Sequence, residues 1–424
     1  GFISFRLLSR HPLAFLLGFP ALWVLRDLLV ETLLTGFPWC RVGLWTLNLP
    51  LWPQWASLGG VHFLSFTLVL ALLLLPRPGR SWRHPYSLAL LVLLGFLALG
   101  GSFLQHWNNR QDEQARVSRI GVLQPNATLE HPLYGEKALR ALLNDSATLA
   151  HQGAEWVVWP EYSVERVYPF QNPAHFNLLA RFSRQQAGLL ACFNHQRGSD
   201  GVFNTVLLLH KGVAETYAKH HLVPFGEYIP YREVFSFVDR ISSGVSDYTP
   251  GDGPHILRSG PWPAATPICF EILFPELVRQ MVAQGGTVLL NPSNDAWYGT
   301  SSAPAQLLMM SRVRAIENRR WLVRATTTGY SALIAPDGTV RHTLPTHQKA
   351  QDVWNLRIRT DLSPFTRWGG HLLWFFVALG LLSLLTPFYE EPRSGASSTD
   401  RTPAADAGLL ARILSGSPKK RRDS

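Results

Sequence analysis

Apolar residues dominate the first hundred positions of the chain; beyond about residue 116 apolar and polar positions alternate over much shorter distances. Three stretches, 55–75, 85–105 and 368–389, contain no Asp, Glu, Lys or Arg. A helix crossing a bilayer needs about 20 apolar residues, each rising about 1.5 Å through about 30 Å of hydrocarbon. A buried helix of a soluble protein would carry a polar face at that length. The three stretches therefore predict spanning helices. A fourth segment, 11–34, is long enough but holds Arg26, Asp27 and Glu31. Asp27 and Glu31 stand four apart and share one helix face. Such charges must face other helices or an aqueous edge, so the segment predicts either a further span or a helix lying in the interface.

The middle of the chain reads as short β runs between helical stretches. Strands are predicted at 117–124, 156–159, 189–193 and 205–210, and apolar runs at 263–269 and 287–291. A β-rich end follows at 322–326, 331–335 and 352–358. Helices are predicted at 135–151, 174–186 and 305–319, where Leu307, Met310, Val313 and Ile316 share a face. Strands alternating with helices predict an α/β layered domain of about 250 residues. The organisation expected is a transmembrane region of about three helices over 1–105, a catalytic domain over 106–366, a C-terminal transmembrane helix over 367–389 and a disordered basic tail over 390–424. The tail is rich in Ser, Thr, Ala, Pro and Arg.

Composition sharpens this picture. Only 16% of the 424 residues are charged and 46% are apolar, with 15 Trp and 23 Phe. Such a chain can bury a large core, which excludes general disorder. Three cysteines exclude a disulfide scaffold. The net charge of +10 divides into +4 over 1–115 (8 basic, 4 acidic), +4 over 116–388 (24 and 20) and +2 over 389–424 (7 and 5). A nucleic-acid binder would concentrate its basic residues on one domain, so no nucleic-acid partner is expected. Arg6 and Arg10 precede the first segment, Arg77, Arg80 and Arg83 crowd the link between the second and third, and Arg393 and Lys419-Lys-Arg-Arg422 follow the last. Basic loops stay in the cytoplasm. Four alternating spans then put 106–367 on the outer face. No cleavable leader is visible, and a start at Gly1 beside a hydrophobic segment suggests truncation.

Three residues stand out chemically. Glu161 follows Trp159-Pro160 at the end of a buried run, Lys219 lies in Tyr217-Ala-Lys-His-His, and Cys269 ends Ala265-Thr-Pro-Ile-Cys. The C-terminal ends of strands are where α/β sheets place catalytic groups. A thiol attacks as thiolate, and its free pKa is near 8.5. A neighbouring ammonium favours the thiolate and a carboxylate can take the proton, so Glu, Lys and Cys together make an activated nucleophile. Cys40 and Cys192 read as small core residues, and His220-His221 as a wet loop pair. No His, Cys or Asp cluster has metal-ligand spacing, and neither metal nor cofactor is expected.

These three contexts, in this order, resemble the carbon–nitrogen hydrolase (nitrilase) superfamily. Leu34-Thr-Gly-Phe-Pro-Trp39, His221-Leu-Val-Pro-Phe-Gly-Glu-Tyr228, Ser293-Asn-Asp-Ala-Trp-Tyr-Gly299 and Arg314-Ala-Ile-Glu-Asn318 are similar to its membrane-embedded apolipoprotein N-acyltransferase branch. The resemblance covers roughly residues 12–390. It implies a nitrilase-like α-β-β-α sandwich flanked by transmembrane helices, in the bacterial inner membrane, with the catalytic domain on the periplasmic face.

It further implies a Glu161–Lys219–Cys269 triad that takes an acyl chain from a membrane phospholipid. The chain passes through a Cys thioester to the N-terminal amine of a diacylglyceryl-modified apolipoprotein, with the enzyme acting as a monomer. Phe270, Glu227, Glu271, Trp107, Trp297 and Tyr298 match family positions around the oxyanion or the substrate. Phe270 stands where the family usually has Tyr. The family has eight spanning helices, so roughly the first four are expected to be missing here. The alternative is a membrane-anchored nitrilase-type amidase acting on small amides.

Overall fold

A computed structural model describes residues 12–76, 85–231 and 247–385. The basic segments around Arg6, Arg77–Arg83 and Arg393–Arg422, and the end of the last predicted span, lie outside the described residues. In chain order the elements are α1 (Pro12–Thr32), α2 (Ala56–Leu74), α3 (Pro85–Glu113), β1 (Arg116–Gln124), α4 (Gly135–His151), β2 (Trp156–Val158), α5 (Pro173–Gln185) and β3 (Gly188–Gln196). Then follow β4 (Val202–His210), β5 (Val213–Ala218), β6 (Ala264–Ala265), α6 (Pro275–Ala283), β7 (Val288–Ser293), α7 (Ala303–Asn318), β8 (Leu322–Thr326), β9 (Ala332–Ile334), β10 (Val340–Thr343), β11 (Ala350–Ile358) and α8 (Pro364–Leu385).

The strands form two sheets, ordered β11-β1-β2-β3-β4-β5 and β10-β9-β8-β7-β6. In each, three neighbours run parallel: β1, β2 and β3 in the first, β6, β7 and β8 in the second. Their outer neighbours pair antiparallel.

The two-residue period of a strand sorts its side chains between two cores. Ile120, Val122, Trp156, Val158, Leu190 and Leu208 point into a cluster shared with the second sheet, which supplies Leu289, Val323 and Leu333. Their alternates Leu123, Val157, Leu189 and Leu207 face Leu139, Leu142 and Leu149 of α4 and Leu179 and Phe182 of α5. On the far side, Val278 and Met281 of α6 and Met310, Val313 and Ile316 of α7 cover the second sheet. The layers are α-β-β-α, as the sequence implied.

The strands at 117–124, 156–159 and 352–358 and the helices at 135–151 and 305–319 form within one or two residues of expectation. The run 263–269 does not form one strand. Pairing stops at Ala265, and a 3-10 turn begins at Cys269 (Cys269–Leu273). Pro267 has no N–H to give to a ladder. Two further strands, β5 and β10, were not foreseen.

Helices α1, α2 and α8 pack around Ala21, Val24, Phe66 and Phe376. Two stretches among the described residues are long and apolar enough to cross a membrane, Trp52–Leu74 and Pro85–Glu113. Along α3, Leu88, Leu91, Val92, Leu99 and Phe103 are exposed, the surface a lipid-facing helix presents. The charges of α1 find partners inside the chain. Asp27 accepts from Ser65 of α2 at 3.0 Å and pairs with Arg26; Glu31 pairs with Arg41 and with His62 of α2. The face carrying Asp27 and Glu31 is thus turned toward α2 and the segment after α1, as charges at that depth require. A break at Gly60 (φ +67°) interrupts α2, and the next N–H, that of Val61, donates to Glu317 of α7 at 2.8 Å.

Candidate active site

Glu161, Lys219 and Cys269 come from three separate chain segments and meet beneath the facing sheets. Glu161 leaves the end of β2 through Pro160, and Lys219 is the first residue beyond β5, its N–H extending the ladder to the carbonyl of Asn204 at 2.8 Å. Cys269 opens its turn with φ +49°. That left-handed conformation is costly for a residue with a Cβ and lifts the thiol out of the strand direction. All three are buried: 2%, 1% and 5% exposed.

Lys219 Nζ donates to Glu161 Oε1 at 3.2 Å and to Glu227 Oε1 at 2.9 Å. Asn204 Nδ2 donates to the same two oxygens, at 2.7 and 3.2 Å. The remaining oxygens are held by backbone: Asn294 N–H donates to Glu161 Oε2 at 2.9 Å and Val223 N–H to Glu227 Oε2 at 2.8 Å. Every carboxylate oxygen of the pair is thus committed. Burial works against the Lys219 charge, but Glu161 and Glu227 overcome it and hold the ammonium well above its ordinary range.

The thiol behaves otherwise than the sequence suggested. Burial first, and then the Glu161 carboxylate, push Cys269 up to about 12, against the lowering effect of Lys219 and of a hydrogen bond from Ser293. The ammonium was expected to favour a thiolate, but it is already engaged by two carboxylates. At rest Cys269 is a neutral thiol.

Glu271, two residues beyond Cys269, is fully buried. It accepts from Tyr217 Oη, His220 N and His221 N on one oxygen and from Ile268 N on the other, at 2.7–3.0 Å. It therefore ties the Lys219 loop to the Cys269 turn. Burial raises its pKa despite the N–H donors of His221 and Ile268. The Phe270 ring packs against Phe37, Phe274 and His221. His221 is correspondingly no wet loop residue: it stacks on Phe274 and burial lowers its pKa to about 4, whereas His220 is exposed.

Around Phe270 lies an apolar rim. Phe37 stacks on Trp39, which packs on Tyr298. Burial and the neighbouring Cys269 raise the Tyr298 pKa. Leu34, Phe37 and Trp297 are exposed. The segment carrying Phe37 is strained, with Leu34, Thr35 and Gly36 all at positive φ, and a Cβ at Gly36 would collide with the carbonyl oxygen of Glu31. A cleft of about 310 Å³ opens beside it between Arg26, Val30, Phe37 and Trp39. Cys40 lines this cleft and is exposed, correcting its reading as a core residue; Cys192 is buried as expected. Trp107 stands apart, half-exposed on α3, and among the described residues no hydrogen bond or ring contact joins it to the Cys269 cluster.

Sequence reasoning assigned no role to Asn204, Ser293, Asp295 or Arg324. Asn204 is a fully buried amide inside an apolar strand, a signal that could have singled it out. Ser293 and Asp295 lie within a motif noted only for its resemblance. Among the described residues no group of three or more His, Cys, Asp or Glu could hold a metal ion.

Two facing sheets with this carboxylate–ammonium–thiol cluster beneath them define a carbon–nitrogen hydrolase, and residues 119–352 match that family. Residues 1–74 match the apolipoprotein N-acyltransferase N-terminal domain. The apolipoprotein N-acyltransferase of Azotobacter vinelandii is 33% identical over 391 residues, covering 89% of this chain and 73% of the relative. That of Pseudomonas putida is 32% identical, covering 85% and 72%. An amidase from Nesterenkonia sp., among solved structures, aligns with a TM-score of 0.46 at 22% identity, covering 61% of this chain and 96% of that one. The chain belongs to the apolipoprotein N-acyltransferase family.

Proposed function

We propose that this chain moves an acyl group from a membrane phospholipid to the α-amine of a diacylglyceryl-modified cysteine at the N-terminus of an apolipoprotein, through a thioester on Cys269. The observation carrying the reading is the buried Glu161–Lys219–Cys269 cluster lying beside an apolar rim in a chain that also contains membrane-length helices. Glu161 takes the thiol proton, and the sulfur attacks the ester carbonyl. Lys219 and the N–H of Phe270 stabilise the tetrahedral oxyanion, the first by charge and the second by preorganised donation. The carbon–oxygen bond breaks, the lysophospholipid oxygen takes the proton back from Glu161, and the thioester remains. The acceptor amine then attacks the thioester, Glu161 receives its proton, the carbon–sulfur bond breaks, and Glu161 returns the proton to the departing Cys269 sulfur.

Glu227 and Asn204 hold Lys219 and Glu161 in register throughout. Ester becomes amide through a thioester with no external energy source. Phe37, Trp39, Trp297 and Tyr298 form the lipid-facing entrance. All three reacting groups belong to one chain, so a monomer suffices. The domain faces the periplasm, α1, α2, α3 and α8 being spans whose basic connections stay in the cytoplasm. Intact-protein mass spectrometry after incubation with phospholipid tests this. A phospholipid-derived acyl adduct on Cys269, discharged by a diacylglyceryl lipopeptide, is expected; an adduct absent from the wild type, or still present in Cys269→Ala, would refute it.

A further inference from the structure

Among the described residues, Ser293 has the one side chain hydrogen-bonded to Cys269 Sγ. Its hydroxyl, at the end of β7 and fully buried, lies 3.3 Å from Cys269 Sγ and 2.9 Å from Asp295 Oδ1. Arg324 Nη2 donates to the same oxygen at 3.1 Å and to Asp295 Oδ1 at 2.7 Å. A hydroxyl owns a single proton. It can point to the sulfur or to the carboxylate, never to both. Arg324 Nη1 is anchored on Asn291, whose amide in turn holds the carbonyl of Pro267 just before the nucleophile. The rotor therefore sits on a fixed frame.

We infer that Ser293 is a two-position donor that points to Asp295 while Cys269 is a thiol or a thioester and turns to the sulfur whenever Cys269 carries negative charge. A neutral sulfur is a poor acceptor beside a carboxylate, so at rest the hydroxyl bonds Asp295. Once the thiol proton has moved to Glu161, the thiolate becomes the charged acceptor. Asp295 keeps the guanidinium of Arg324 as its donor, so its carboxylate is not stranded when the hydroxyl turns. No bond to a heavy atom forms or breaks and no proton leaves Ser293; one O–H rotates. The rotation recurs when the carbon–sulfur bond breaks in the second half-reaction, because the departing sulfur is again anionic. A buried thiol pushed up to about 12 has reason to use such a donor. The titratable and charged groups around Cys269 are Glu161 after β2, Cys192 on β3, Lys219 after β5, Glu271 in its own turn, Asp295 and Tyr298 after β7, and Arg324 on β8. Lys219, by its charge, and Ser293, by its hydrogen bond, are what lower the thiol pKa.

The inference rests on Cys269 being the nucleophile, and its test reads the sulfur without lipid. Alkylation by iodoacetamide is followed at pH 8, far below the midpoint, where rate tracks the thiolate fraction. Ser293→Ala is expected to cut the thiolate about tenfold; because a more basic sulfur is also more nucleophilic, the rate falls about three- to fourfold. Both acyl-transfer half-reactions slow about tenfold together. Asp295→Asn weakens the competing acceptor and removes a negative charge, so alkylation accelerates. Melting curves accompany both variants. Ser293→Ala alkylating at the wild-type rate while folded overturns the inference. Should Ser293→Ala not fold, Asp295→Asn decides: faster alkylation supports the rotor, and unchanged or slower alkylation overturns it. Loss of acyl transfer with wild-type alkylation trends would instead count against the proposed reaction.

Discussion

Two of the buried charge clusters among the described residues differ in how their polar atoms are satisfied. In the catalytic cluster the four oxygens of Glu161 and Glu227 are all committed, to Lys219, Asn204 and two backbone N–H groups. At the junction between α1, α2 and α7, Glu31 pairs with Arg41 and His62, and Arg314 pairs with Glu317, whose other link is to Val61 N–H. There Arg41 Nε and Arg314 Nη1 find no hydrogen-bond partner among the described residues. Burial pulls the Arg314 pKa down to about 10, against the raising effect of Glu317. An unsatisfied buried donor costs about 1–3 kcal/mol. The carboxylates of Glu161 and Glu227 avoid that cost, although Asn204 Oδ1 beside them has no hydrogen-bond partner among the described residues; the junction bears it at its guanidinium groups.

The sharpest way to break the comparison is at the sulfur. Cys269→Ala should abolish the acyl adduct seen by mass spectrometry while leaving the melting temperature near wild type, since a small buried side chain is replaced by another. Cys269→Ser should be nearly as inert, because a serine hydroxyl is far less acidic than a thiol and Glu161 is too weak a base to ionise it.

Lys219→Met comes next. It leaves two carboxylates buried without their shared cation, which costs about 3–5 kcal/mol of stability, and acyl transfer should vanish as well; calorimetry and adduct formation read the two losses. Glu317→Ala should show the opposite division. Stability falls by about 3 kcal/mol because Arg314 is left buried and unpaired, while adduct formation per folded molecule stays within severalfold of wild type. Equal catalytic damage from both variants would erase the distinction between the clusters.

A pH series sharpens it further. With burial holding the Cys269 thiol near 12, its alkylation rate should climb about tenfold per pH unit through pH 10, where an ordinary thiol of pKa near 8.5 has levelled off. A plateau at pH 9 would mean the thiolate is favoured at rest. The smallest effect is expected for Phe270→Tyr. The ring contacts at Phe270 are with Phe37, Phe274 and His221, and turnover should change by less than tenfold, about 1.4 kcal/mol of barrier.

The sandwich was legible because its central strands are apolar on both faces and its helices carry clear stripes. β5 and β10 were not legible because they are sheet-edge strands with mostly exposed or half-buried residues and read as polar loops. The Pro263–Cys269 segment misled because apolarity reports burial, whereas Pro267 decides hydrogen bonding. Glu161, Lys219 and Cys269 could be named because each sits in a recognisable local context. Ser293 and Arg324 could not: each becomes part of the site only when strands distant in sequence are laid side by side. Arg324 is hidden in what looks like a plain core strand, fully buried yet charged.

The hydrogen bond from Val61 to Glu317 has a consequence for how the chain is made. Its two ends are 256 positions apart. At a synthesis rate of about 5–20 residues per second, Glu317 emerges roughly ten to fifty seconds after Val61. Throughout that interval the break at Gly60 leaves an amide that α2 itself cannot pair. Near hydrocarbon such an amide is costly to leave bare, so the early helix waits in a provisional arrangement, borrowing water or a neighbour. The break in α2 is therefore closed only by a residue of the domain that follows it.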